Sequence, residues 1–423
     1  MSDSEIRDKV ARAIDHIDRD RLVKLVMDLV DIPSPTGEEA EVARAVHHEL
    51  QAAGFEATLQ PIGDERYNAV GRLQGAGGGK SLMFNGHLDT SFGPEQAHRG
   101  LGYQCKATLV DDEWIYGMGS FNMKSAMGTY IVATEALQKA GIRLKGDIVI
   151  AGVAGEIEKA PVNEFEGRQY QGYGVGTKFA ITHGAIADYC ILGEPTNMKL
   201  IPRHCGTTWI RITVPGKLIH TAWSDVESNA INKARKVLDA IHEWIPDYCR
   251  RNTVGDFQPR VNVSAIQGGW TWRGARTPDS CNIYMDVRTL PDVLPVEAYN
   301  EVRELVRKVV ERNPELEGTR AEVYVSAPGT SIPDDHELVR TIVQAHSEQL
   351  GSPPEIGMET WYSDAAHMNR YGIPTVNYGS AGRIQSGGGG FSVRQGEAVH
   401  IGDMLDIIRV YIQTMITLCG VAE

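Results

Sequence analysis

A change of pattern near residue 204 constrains the fold of this chain more than any other feature. Before it, strand-like runs at 69–73, 81–84, 147–153 and 189–192 alternate with helical stretches, one of them at 123–139. That alternation predicts an α/β domain with a largely parallel sheet. From 204 the order becomes strand 209–214, helix 228–244, strands 261–266 and 282–287, helix 296–311, strand 322–325. Strand-helix-strand-strand-helix-strand is a split βαβ unit, an α+β arrangement that can stand alone. After 328 the α/β character returns, with Gly372-Ile373-Pro374-Thr375-Val376 and a last helix over 402–418. The expected organisation is one discontinuous α/β domain, 1–203 and 329–423, interrupted by a smaller α+β domain over 204–328. A chain of 423 residues suits such a division.

Local signals fill in the first domain. Leu22, Val26, Leu29 and Val30 recur at helical spacing and Pro33-Ser34-Pro35 stops that helix. Thr36-Gly37-Glu38-Glu39 reads as a capping box opening a helix to about residue 53, with Thr36 as N-cap. Gly75-Ala76-Gly77-Gly78-Gly79-Lys80-Ser81 looks like a phosphate loop, but Gln74 stands at the first glycine position and a strand follows where a helix is required, so a hairpin turn is expected. Ser386-Gly387-Gly388-Gly389-Gly390 reads as a mobile loop beside the site.

Composition excludes several classes of function. Net charge is −13 and there is no basic cluster, which argues against nucleic acid. No run approaches the length of a membrane span and the N-terminus has no apolar leader, so neither membrane nor secretion is expected. The six cysteines form no Cys-x-x-Cys pair, which suits free thiols in a cytoplasmic chain.

Chemistry concentrates at the ends of the predicted strands. Gly86-His87-Leu88-Asp89 follows one, Gly155-Glu156-Ile157-Glu158 another, and Gly193-Glu194-Pro195-Thr196 a third; His400 precedes the last helix. Open α/β sheets build their sites at such strand ends. His87 can ligate a metal through one ring nitrogen, with Asp89 orienting the ring. The tryptophans Trp223, Trp270 and Trp272 are expected to pack.

Taken in order, these boxes resemble the M20 metallopeptidase family, which includes acetylornithine deacetylases, succinyl-diaminopimelate desuccinylases and carboxypeptidase G2. The resemblance rests on Gly86-His87-Leu88-Asp89, Gly117-x-Gly119 to Met123-Lys124, Glu156, Gly193-Glu194-Pro195-Thr196, Gly216-x-x-x-His220, Asp286-x-Arg288 and His400. It implies a zinc-peptidase-like catalytic domain with an inserted lid that often dimerises. It further implies His87 and Glu194 as ligands of one metal, an aspartate bridging to a second, Glu156 as general base, and His400 on the second metal. His220 in the lid would stabilise developing charge, and Asn262 and Arg288 would contact a substrate carboxylate or brace the lid; Arg383, beside the glycine loop, is a separate carboxylate-binding candidate.

Two positions depart from the family pattern. Asn122 stands where the bridging aspartate belongs, and Ile157 where a second-metal glutamate belongs. Asn offers only a neutral carbonyl oxygen and Ile no donor at all. The expectation is therefore one divalent ion (Mn, Zn or Co) per site, held by His87 and Glu194 with Asn122, His400 or Glu158 completing the set. The leading expectation is hydrolysis of a C–N bond in a small carboxylate-bearing substrate, by metal-activated water with Glu156 as base. The altered ligand set is similar to that of the family's aminohydrolases acting on 5-nitroanthranilate, which release ammonia from an aromatic ring. Removal of an acyl group from an N-acyl amino acid is the alternative, and a metal-free binding protein the rival from another class.

Overall fold

The structure is a computed structural model that describes residues 3–95, 100–380, 382 and 396–422. Arg383 and the glycine tract 386–390 lie outside the described residues. The chain divides into two compact units, one of Met1–Pro202, Ile332–Gly357 and Ser363–Glu423, the other of Arg203–Ser331 and Met358–Tyr362.

The first unit is built on a mixed sheet. Its central strands Ile148–Val153, Leu82–His87, Tyr189–Leu192 and Thr375–Asn377 lie side by side in that order and run parallel. Arg66–Leu73 and then Glu56–Gly63 extend one side antiparallel. The parallel strands are buried along their whole length, as apolar runs between two helical layers should be. Period-two alternation sorts their side chains. Leu82, Phe84, Ile148 and Ile150 join the core under helices Arg19–Val30, Ser125–Lys139 and Ile401–Cys419, while Met83, Val149, Ala151 and Val153 face Ala180, Ile181 and Met368.

Two sequence expectations are corrected here. The 75–81 glycine tract does not close a hairpin: Arg66–Leu73 and Leu82–His87 are separated in the sheet by Ile148–Val153, with which both pair. The tract passes across that strand's entry, with Ala76 and Gly77 donating to Leu144 O and Lys145 O. The capping box is not one either. The helix is Ala40–Ala52 and Glu39 makes no side-chain cap. Thr36 instead donates to Asp89, and Glu39 accepts from Arg66, because those tertiary partners are charged and buried.

The second unit is a four-stranded antiparallel sheet, Val261–Gly268, Ser280–Thr289, Gly206–Pro215 and Arg320–Ala327 in spatial order. Helices Ala230–Arg251 and Pro295–Arg312 cover one face through Ile210, Ile212, Ile283, Met285, Ile241 and Val302. Val261–Gly268 is an edge strand with mostly exposed side chains. The expected packing of the three tryptophans fails: Trp223 is 78% exposed, Trp272 76% and Trp270 40%. Among the described residues, no helix is long and apolar enough to cross a membrane.

Candidate metal centre

The site forms at the C-terminal ends of the parallel strands. His87 is the last residue of Leu82–His87, Glu156 follows Ile148–Val153 and Glu194 follows Tyr189–Leu192. All three are buried. One ligand atom from each lies within 4.8 Å of the others, and among the described residues this is the group of His, Cys, Asp or Glu side chains so placed.

His87 is held from both ring nitrogens. Nδ1 lies 2.9 Å from the backbone carbonyl of Asp89, and Nε2 lies 2.8 Å from Asn122 Oδ1. Nε2 is also 3.7 Å from a Glu156 carboxylate oxygen. A ring protonated at both nitrogens donates to the Asp89 carbonyl and to Asn122 Oδ1, and a cation that replaced the Nε2 proton would face both the Nε2 lone pair and the Asn122 oxygen. Two lone-pair donors 2.8 Å apart suit joint ligation of one cation, because bonds of about 2.1 Å at right angles leave their ligand atoms about 3 Å apart.

Asp89 acts differently from the expectation that its carboxylate orients the ring. Its backbone carbonyl does that, while the carboxylate accepts from Glu156 N at 3.0 Å, Ile157 N at 3.2 Å and the Thr36 hydroxyl at 2.8 Å. It thereby fixes the turn that carries Glu156. Behind that turn, Arg66 bridges the Glu39 carboxylate to Gln171 O.

The electrostatics call for a cation. Burial, then the charges of Glu194, Asp364, Asp89 and Glu158, push the Glu156 carboxyl well above the ordinary range. Burial likewise raises Glu194 to about 7, against the lowering effect of His87. For His87 burial disfavours the charged ring, but Glu194 and Asp89 outweigh it and raise its pKa. Glu194 Oε1 is buried with no hydrogen-bond partner among the described residues. Several acids, one imidazole and an unsatisfied carboxylate oxygen fit a divalent ion.

Other sequence candidates are placed elsewhere. His400 does not join the group. It caps helix Ile401–Cys419, its Nδ1 accepting from Asp403 N at 3.3 Å, with its ring 4.7 Å from that of Trp114. The charge of Glu158 acts on Glu156 and Glu194. In the second unit, His220 Nδ1 accepts from Ala222 N, Asn262 is exposed on the edge strand, and Arg288 is paired with Asp286 at 2.8 Å.

Two acids escaped the sequence reading. Asp364 is fully buried, raised to about 6 by burial against the lowering effect of Thr177 and Lys178, and its charge acts on Glu156 and Glu194. Glu397 accepts from Gly119 N at 2.9 Å and Asn122 N at 3.2 Å, and burial pushes it up to about 7. No spacing rule links either to the strand-end boxes. The one available signal was an acid three residues before His400.

A sequence model described as peptidase family M20/M25/M40 matches residues 83–417. The chain belongs to that family. As a member of peptidase family M20 it is a metal-dependent hydrolase of C–N bonds. It is 23% identical to N-formyl-4-amino-5-aminomethyl-2-methylpyrimidine deformylase of Halalkalibacterium halodurans, over 86% of this chain and 88% of that one. It is 27% identical to acetylornithine deacetylase of Photorhabdus laumondii, over 69% and 71%. The fold is shared with a tripeptidase of Staphylococcus aureus, TM-score 0.73 at 19% identity, over 96% of this chain and 99% of that one.

Proposed function

We propose that this M20 enzyme hydrolyses the amide of a small, carboxylate-bearing N-acyl compound, releasing the acid and the free amine. The observation that carries the reading is the buried convergence of His87, Glu156 and Glu194 at three adjacent strand ends. His87, Glu194 and the Asn122 carbonyl would hold one divalent ion. Such an ion supplies Lewis acidity to water and to the scissile carbonyl.

The remaining chemistry belongs to Glu156. Its carboxylate takes the proton of the attacking water as the C–O bond forms, and returns it to the leaving nitrogen as the amide C–N bond then breaks. A carboxyl whose pKa is raised by burial and by Glu194 is suited to hold that proton between the two steps. Asp89 fixes the carboxylate by binding the Glu156 and Ile157 amides. The neutral Asn122 and the apolar Ile157 favour a single ion.

Deformylase and deacetylase relatives favour acyl removal over the ring deamination that the Asn122 and Ile157 departures suggest. We also propose that the second unit pairs two copies of the chain through its exposed edge strand. The test is a product panel on the Mn²⁺- and Zn²⁺-loaded enzyme. Formate, acetate or succinate release from N-acyl amino acids and N-formyl amines supports the reading. Ammonia release from aminobenzoates, with no acyl hydrolysis, overturns it.

A further inference from the structure

The turn that presents Asn122 is held from outside by one carboxylate. Residues Ser120–Lys124 form a single wide turn ahead of helix Ser125–Lys139. Glu397 Oε2 accepts from both Gly119 N, at 2.9 Å, and Asn122 N, at 3.2 Å, and the Phe121 amide also donates to this carboxylate. The same segment is locked again through its backbone, since Gly117 N donates to Glu397 O at 3.2 Å. Glu397 in turn leads into the strand Ala398–His400, which pairs with Trp114–Tyr116. On the inner side, Lys124 Nζ donates to Leu29 O at 3.1 Å and Ile32 O at 2.6 Å. The turn is therefore clamped on both sides, and the Asn122 side chain is left facing His87 Nε2 at 2.8 Å.

We infer that Glu397 is a positioning residue for the metal centre: it fixes the Asn122 carbonyl beside His87 without itself meeting the ion. This rests on the proposed role of Asn122 and His87 as ligands. The reasoning is geometric. An amide side chain is a weak, neutral ligand, so its contribution depends on being held where the ion needs it. Two backbone donors on one oxygen of a well-anchored carboxylate supply that constraint. The Gly119 and Asn122 bonds use the same oxygen, so a Gln carbonyl in its place can accept both, whereas Ala can accept none of the three.

The experiment uses the full chain with Mn²⁺ as probe, at a temperature where every variant is folded. Metal Kd is measured by competition with a chelator, and amide exchange of the 117–124 peptide by mass spectrometry on metal-free protein. Glu397→Ala is expected to weaken Mn²⁺ binding about 10–100-fold and to speed exchange in 117–124, with Glu397→Gln close to wild type in both. Faster exchange in Glu397→Ala with unchanged Kd overturns the inference, leaving Glu397 a structural residue. Equal loss in Gln and Ala also overturns it, because charge would then be what matters. Wild-type protein that takes up no Mn²⁺ counts against the ligand assignment itself, while unchanged exchange in Glu397→Ala counts against the clamp.

Discussion

Replacing Arg66 with Met should be among the costliest single changes outside the metal set. Arg66 is 3% exposed and its partner Glu39 0%. The guanidinium donates Nε to Glu39 Oε2 at 2.9 Å, Nη2 to Oε1 at 2.6 Å and Nη1 to Gln171 O at 2.9 Å. Met keeps the aliphatic volume and removes every donor. A buried carboxylate then loses its counter-charge, a change that costs about 3–5 kcal/mol. Removing both charges, in Glu39→Gln with Arg66→Met, leaves only neutral groups short of partners, at about 1–3 kcal/mol. The double variant is therefore expected to be more stable than Arg66→Met alone. Protonation would relieve the stranded Glu39, so the single variant's deficit should also shrink from pH 8 to pH 5.5. Urea unfolding of metal-free protein, followed by tryptophan fluorescence and circular dichroism, measures all three. A single variant within about 1 kcal/mol of wild type, as for a surface pair, or a double variant worse than the single, would refute the reasoning.

Three further outcomes follow from the site. A Cβ on Gly193 would lie 2.1 Å from the Tyr130 hydroxyl, whereas one on Gly86 meets only the flexible ends of Met127 and Met123, at 2.7 and 2.9 Å; Gly193→Ala should cost about 1–3 kcal/mol more than Gly86→Ala in thermal or urea unfolding, and equal costs would contradict that packing. In EDTA the protein should lose stability as pH rises from 5.5 to 7.5. Glu156, Glu194 (about 7), Asp364 (about 6) and His87 all have raised folded-state pKa values, so each binds its proton more tightly folded than unfolded and its contribution fades as pH climbs through the folded value. Differential scanning fluorimetry checks this, and a melting temperature that rises across the window contradicts it; Lys124, at about 8, titrates above it. Glu156→Gln should lower kcat by about 10²–10⁴-fold with metal content retained; turnover within threefold of wild type would remove Glu156 as base.

The sequence disclosed what strand ends and apolar runs can disclose. Leu82–His87, Ile148–Val153 and Tyr189–Leu192 are continuous apolar stretches closed by glycine boxes, so their parallel core and the position of His87, Glu156 and Glu194 at its C-terminal end were legible. What remained hidden was decided by partners far along the chain. Thr36 and Glu39 match a local capping pattern, yet Asp89 and Arg66 take their side chains, 53 and 27 residues away. The 75–81 tract looks like a hairpin because nothing local shows that Ile148–Val153 inserts between its flanking strands. Asp364 and Glu397 reach the site through packing of the last third of the chain, and His400 is drawn into capping its own helix.

The central claim is one divalent ion per chain, and metal content measures it most directly. Protein stripped with chelator, reloaded separately with Mn²⁺, Zn²⁺ and Co²⁺, freed of excess and analysed by inductively coupled plasma mass spectrometry should hold one equivalent of its preferred ion. Glu194→Gln and His87→Ala should each lose it. Two equivalents in the wild type, or none with any of the three ions, would contradict a single-ion centre built on His87, Glu194 and Asn122.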